Sequence, residues 1–254
     1  MKILAIGNSF ADDSFEYFSK IANDFNEEVI IGVLFIGGCS LKMHRYNAEN
    51  NLSAYEYRKD MGCGFINHKD YSIKKALEDE DWDIVTLQQA SHDSGIMSSY
   101  DDLNFLIDYI NNNALKKVTF MWIMTWSYEK DSNHPEFKRY GNDQQIMDEK
   151  ILECVKAKII NNEKICKIIP VGLAIKSARK QALLNGKLSR DGFHLSYDYG
   201  RYIAGLVMAQ AILKIEIDNI KYRPSIINND EMLAIVSTIN ETFNKVNEVL
   251  YSNN

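Results

Sequence analysis

Apolar positions follow two rhythms along this chain. Short continuous runs of aliphatic and β-branched residues at 2–6, 28–36, 83–88, 117–125 and 167–170 have the length and composition of buried strands. Between them, apolar residues return every three to four positions at 13–25, 100–112 and 142–160, and again at 172–184, as in helices with one buried face. This alternation predicts a three-layer α/β/α, flavodoxin-like fold with a five-stranded parallel sheet covered by helices on both sides. Residues 197–213 are apolar enough for a fully buried helix, and 229–250 add a further amphipathic one that packs on the domain or serves self-association. With no internal repeat and no linker, residues 1–254 read as one domain. Only 40–72 breaks the rhythm: Tyr, Asn, His and Gly-rich turns stand where a crossover helix is expected. The segment is read as an insertion near the site, with Asp60-Met61-Gly62 as the turn of a small hairpin.

Composition narrows the function classes. Across 254 residues, 46% are apolar, 25% charged, 3 are proline and 13 glycine, values that exclude a disordered or collagen-like chain. The 29 Lys and Arg against 35 Asp and Glu give −6 with no basic tract, which argues against nucleic acid or an anionic membrane as partner. Cys39, Cys63, Cys154 and Cys166 lack metal-ligand spacing and read as reduced thiols. The contiguous carboxylates Glu78 to Asp81 would not converge on one ion, so no metal is expected. The opening apolar run ends at Gly7, too short for a signal-peptide core, and no stretch nears the ~20 apolar residues of a membrane span. A cytoplasmic protein acting on a small-molecule or oligosaccharide substrate is the expectation.

Parallel sheets bind ligands beyond the carboxyl ends of their strands, so the residues following each strand are the candidates. Gly7-Asn8-Ser9 follows the first, and a serine there offers a hydroxyl above the sheet, or else caps the next helix. Gly37-Gly38-Cys39-Ser40 follows the second, a turn that can bring a backbone N–H close to a bound group. Gln88-Gln89-Ala90-Ser91-His92-Asp93 follows the third, placing amides and an imidazole where they can donate to an oxyanion or satisfy their own loop. Trp126 and Tyr128 follow the fourth and could wall a pocket. Near the C-terminus, Asp191-Gly192-Phe193-His194 spaces a carboxylate three residues from an imidazole, close enough to fix its tautomer and leave the other nitrogen as a base. His44, His68 and His134 have a plain reading as satisfied histidines outside such a constellation.

In this order these segments resemble the SGNH hydrolases, the GDSL esterase/lipase superfamily, with Gly-Asn-Ser-Phe where that family has Gly-Asp-Ser. The Leu-Gln-Gln-Ala-Ser-His-Asp-Ser-Gly run, with Gly-Gly-Cys-Ser-Leu before it and Thr-Trp-Ser-Tyr after it, is similar to the DUF4886 subgroup. The resemblance implies a cofactor-free serine esterase with Ser9 as nucleophile, His194 as base, Asp191 as its orienting carboxylate and Gly38 as an oxyanion donor alongside the Ser9 N–H. The family's Gly-x-Asn-Asp block is replaced here, which leaves Gln89, favoured, or His92 as the third donor. Gln88, Trp126, Tyr128 and His44 are the expected substrate-binding residues, and the polar, aromatic character of the cleft suits an O-acetylated carbohydrate. The alternative, motivated by the missing asparagine, is a catalytically weak or inactive protein that binds a glycan or nucleoside.

Overall fold

A computed structural model of the chain describes residues 1–252. Its elements run β1 (Lys2–Gly7), α1 (Ser9–Phe15), α2 (Phe18–Asp24), β2 (Ile30–Phe35), α3 (Leu41–Glu49), β3 (Tyr55–Asp60), β4 (Phe65–Tyr71) and α4 (Ile73–Leu77). They continue as β5 (Ile84–Leu87), α5 (Leu103–Asn113), β6 (Thr119–Ile123), α6 (Gln144–Val155), β7 (Ile165–Ile169), α7 (Val171–Ala178), α8 (Gly200–Leu213) and α9 (Asn229–Tyr251). One sheet carries all the strands in the order β4-β3-β2-β1-β5-β6-β7. β2, β1, β5, β6 and β7 are parallel, while β3 and β4 add antiparallel at the β2 edge. The chain moves outward from β1 to β4, then returns to the other side of β1 at β5. That reversal opens a crevice at the carboxyl ends of β1 and β5, the usual ligand position in such sheets.

The parallel strands form because both of their faces are covered. β1 and β5 are buried almost without interruption, the pattern of strands lying under two helical layers. Helices α1, α2, α7 and α8 pack together, as do α3, α4 and α5. α8 is apolar on nearly every side and buried along most of its length, whereas α9 buries a stripe against α7 and α8. Among the described residues, no helix is long and apolar enough to cross a membrane.

Two expectations from the sequence are corrected. The sheet has seven strands rather than five, because the 40–72 segment is α3 followed by a hairpin that extends the sheet. Its strands hide from a search for apolar runs: β3 buries only Tyr55, Tyr57 and Asp60, and β4 is an almost wholly exposed edge. The helix expected at 13–25 is two helices, and the first begins at Ser9 because Asn8 caps it, accepting from the Phe10 N–H at 3.0 Å.

The hairpin is fastened by a buried carboxylate. Asp60 accepts from the Gly62 and Gly64 N–H groups at 2.8 and 2.9 Å across the turn, and from the Ser19 hydroxyl on α2. Asp60→Ala would strand these donors, and a loss of about 2–3 kcal/mol is expected. Urea unfolding should register it as a lower midpoint with an unchanged slope.

Candidate active site

The crevice is built from the turn after β1. Asn8 occupies its centre, with Nδ2 donating to the Cys39 carbonyl at 3.0 Å and Oδ1 accepting from Gln88 Nε2 at 2.8 Å as well as from Phe10 N–H. One side chain therefore locks together the loops that follow β1, β2 and β5. Because Asn8 does the capping, the Ser9 hydroxyl is left free of that task. It lies 2.9 Å from Nε2 of His194, a residue 185 positions away in sequence.

His194 belongs to a loop held from several directions. Its Nδ1 meets Asp191 Oδ2 at 2.6 Å, while Asp191 Oδ1 accepts from the His194 and Phe193 N–H groups at 2.8 and 3.2 Å. Ser189 Oγ receives the Gly192 N–H and donates to the His194 carbonyl. Trp126 Nε1 donates to the Phe193 carbonyl at 2.8 Å, and the Gly192 carbonyl accepts from Glu129 N–H at 2.7 Å. Gly192 has φ +91°, and a Cβ there would stand 3.0 Å from Ser132 Cα, so both conformation and space call for glycine.

In the tautomer that donates Nδ1–H to Asp191, the His194 ring presents Nε2 as an acceptor to the Ser9 hydroxyl. Burial pushes the Asp191 carboxyl up, but the His194 imidazole and the two N–H donors outweigh it and hold it below the usual carboxylate range. Burial also lowers the basicity of His134, an effect reinforced by His92 and His194.

Asp13 ties the two halves of this arrangement. It is fully buried on α1, one helical turn after Ser9. Its Oδ2 accepts from the Leu195 N–H at 2.9 Å, and its Oδ1 from Arg190 at 2.9 Å and Arg201 at 2.7 Å. Sequence reading missed all three residues of this cluster. The available signal was an aspartate spaced four residues from the serine in a helix whose other buried residues are Phe10, Ala11, Ser14 and Phe15.

The other candidates divide. Gly38 is exposed with φ +64°, and among the described residues neither its N–H nor that of Ser9 meets an acceptor within the chain. His92 is partly exposed, and its Cε1 lies 3.9 Å from where a Gly38 Cβ would stand. Gln89 does not face the crevice. It is buried, with Nε2 spent on the Ser99 carbonyl and hydroxyl and Oε1 on the Leu41 and Ala90 N–H groups, so its amide holds the start of α3 against the end of β5.

The four residues expected to touch substrate are likewise interior. Gln88 is buried behind Asn8, and His44 is buried with Nδ1 2.9 Å from Tyr55 Oη. Tyr128 is buried with its hydroxyl 2.9 Å from Ser91 Oγ. Trp126 stacks on Phe10 at 3.9 Å, supporting the His194 loop from beneath. His134 lies closer to the site than its plain reading implied, its ring 4.7 Å from that of Phe193, which is 4.1 Å from His194. Among the described residues, no group of three His, Cys, Asp or Glu is placed to hold a metal ion.

Comparison with known proteins gives a consistent picture. The family model described as "Domain of unknown function (DUF4886)" matches residues 2–239. A DUF4886 protein from Bacteroides uniformis is 37% identical, with a TM-score of 0.90 over 96% of this chain and 94% of its own. A member of the lipolytic G-D-S-L family from Veillonella parvula is 14% identical, with a TM-score of 0.54 over 85% of this chain and 100% of its own. An acetylxylan esterase from Geobacillus stearothermophilus, in a catalytic mutant, is 13% identical, with a TM-score of 0.51 over 84% and 92%. The last two share the fold. No curated protein matches the chain.

The depressed Asp191 carboxyl has a measurable consequence. A folded value below the unfolded one of ~3.9 means that ionised Asp191 stabilises the fold at neutral pH, and that this contribution is lost as pH falls through the folded value. Urea unfolding should show Asp191→Asn less stable than the parent at pH 7, with the gap narrowing as pH falls below the ordinary carboxylate value of ~3.9.

Proposed function

Because the chain belongs to the DUF4886 family, whose name assigns no reaction, we propose from the site itself that the protein is a serine esterase working through an acyl-enzyme. The observation that carries this reading is the continuous line from Ser9 Oγ to His194 Nε2 at 2.9 Å and from His194 Nδ1 to Asp191 at 2.6 Å. A serine hydroxyl is scarcely ionised at neutral pH and needs a base within hydrogen-bond reach, and the base needs a partner that fixes its tautomer. Both requirements are met.

In the proposed reaction His194 takes the Ser9 proton as the hydroxyl attacks the ester carbonyl. The oxyanion that forms is received by the free N–H groups of Ser9 and Gly38. His194 then gives its proton to the departing alcohol, and a water activated by the same nitrogen releases the acyl group. Asp191 stabilises the imidazolium that exists between these transfers. For the third oxyanion donor we assign His92, since the Gln89 amide is consumed by Ser99 while the His92 ring borders Gly38. The Geobacillus neighbour is an acetylxylan esterase, and by analogy with it the substrate proposed here is an acetylated carbohydrate.

The test is hydrolysis of p-nitrophenyl acetate. Ser9→Ala and His194→Ala are expected to reduce turnover to background with the fold retained by circular dichroism; a fully active Ser9→Ala protein would refute the reading. For the third donor, His92→Ala should lower kcat by ~10²-fold or more, and His92→Gln should recover part of it. Gln89→Ala should act mainly on stability, through the stranded Leu41 and Ala90 N–H groups.

A further inference from the structure

An acyl transfer has a fixed handedness that assigns the two sides of this crevice. The carbonyl oxygen must face the Ser9 and Gly38 N–H groups, and the alcohol oxygen must face His194 Nε2, which protonates it. The alcohol portion of the ester therefore lies on the imidazole side of Ser9, away from Gly38 and His92. Asp191 and Gly192, on the side of the His194 ring opposite Ser9, are among the residues that line a large groove between the 129–133 loop, the start of α6, the end of α7 and the 184–192 loop.

The groove has about 1280 Å³ of space. Sites for single small molecules typically measure ~300–1,000 Å³, so it exceeds what one sugar ring or short alcohol would fill. Its lining is also distinctive. Six carboxylates face five cations and five carboxamides, and Leu184 and Leu188 are the two apolar side chains. Several charges neutralise one another, as in Arg179 with Glu129 at 3.0 Å and Lys176 with Asp148 at 3.3 Å. Arg190 is taken by Asp13, and Asp191 by His194. Such a wall offers closely spaced donors and acceptors with little net field. It does not suit a polyanion, which needs uncompensated cations. Peptide recognition would call for apolar side-chain pockets, and two leucines supply little of that.

We infer that this groove holds the alcohol side of the substrate, a neutral oligosaccharide of several units whose acylated unit sits over His194. The assignment rests on the esterase reading above and extends it: the protein acts on chains, with the acyl group presented from within or at the end of an oligomer. Arg179 is the fixed part of the groove floor, donating to the Ser127 hydroxyl and carbonyl at 2.8 and 2.7 Å, so the groove is shaped before any ligand arrives. Gln145 and Lys180 are exposed residues of its lining.

The experiment compares kcat/KM for mono-O-acetylated xylotetraose, cellotetraose and mannotetraose with the value for each corresponding acetylated monosaccharide. The native protein is expected to favour at least one tetraose by about tenfold or more. Gln145→Trp and Lys180→Trp, each placing a bulky ring in the groove, are expected to bring that tetraose down to the monosaccharide value. Equal kcat/KM for every tetraose and its monosaccharide would overturn the groove assignment, as would a preference that survives both substitutions. Hydrolysis of p-nitrophenyl acetate by the native protein, run alongside, separates the two levels. If it proceeds while no chain is preferred, the groove inference alone fails; if neither it nor any sugar ester is hydrolysed, the esterase reading fails with it.

Discussion

A carboxylate with no access to solvent links the two chain segments that this site must hold together. Asp13, on the helix that begins with Ser9, receives Arg190, Arg201 and the N–H of Leu195, the residue after His194. Burying such a charge is costly unless every lone pair finds a donor, and here three donors converge on its two oxygens. Removing one partner of a buried pair typically costs about 3–5 kcal/mol, far more than a surface ion pair. The cluster thus specifies one docking of the His194 loop on α1, and the 2.9 Å approach of Ser9 to His194 follows from it.

A second, uncharged clamp does the same for the oxyanion side. Asn8 caps α1, accepts from Gln88 and donates to the Cys39 carbonyl, so the Gly37-Gly38 turn is set against the helix that carries the serine. An aspartate at this position could cap the helix and accept from Gln88, but it has no N–H to give to Cys39. The departure from the Gly-Asp-Ser pattern is therefore compensated within the loop itself.

Much of this was legible in the sequence because it is local or ordered. The five parallel strands announce themselves as apolar runs, and Ser9, Gly38 and the Asp191–His194 pair stand just after strands or just before a buried helix. What escaped was orientation and distance. Position at a strand's carboxyl edge says nothing about which way a side chain turns, and Gln88, Gln89, Trp126 and Tyr128 turn inward to satisfy Asn8, Ser99, Phe193 and Ser91. Asp13 showed locally only as an aspartate on an inward helix face, and its arginine partners lie 177 and 188 residues away, beyond any local pattern. The hairpin was hidden by its own exposure: β4 contributes almost nothing to the core, so no apolar rhythm marks it.

The central claim is that Ser9 is an activated nucleophile, and the most direct measurement is covalent labelling by a fluorophosphonate followed by mass spectrometry of the intact protein and its peptides. The account predicts a single adduct on the Ser9 peptide, lost in Ser9→Ala and strongly slowed in His194→Ala. Labelling that persists in Ser9→Ala, or a native protein that remains unmodified under conditions that label an active serine esterase, would contradict it.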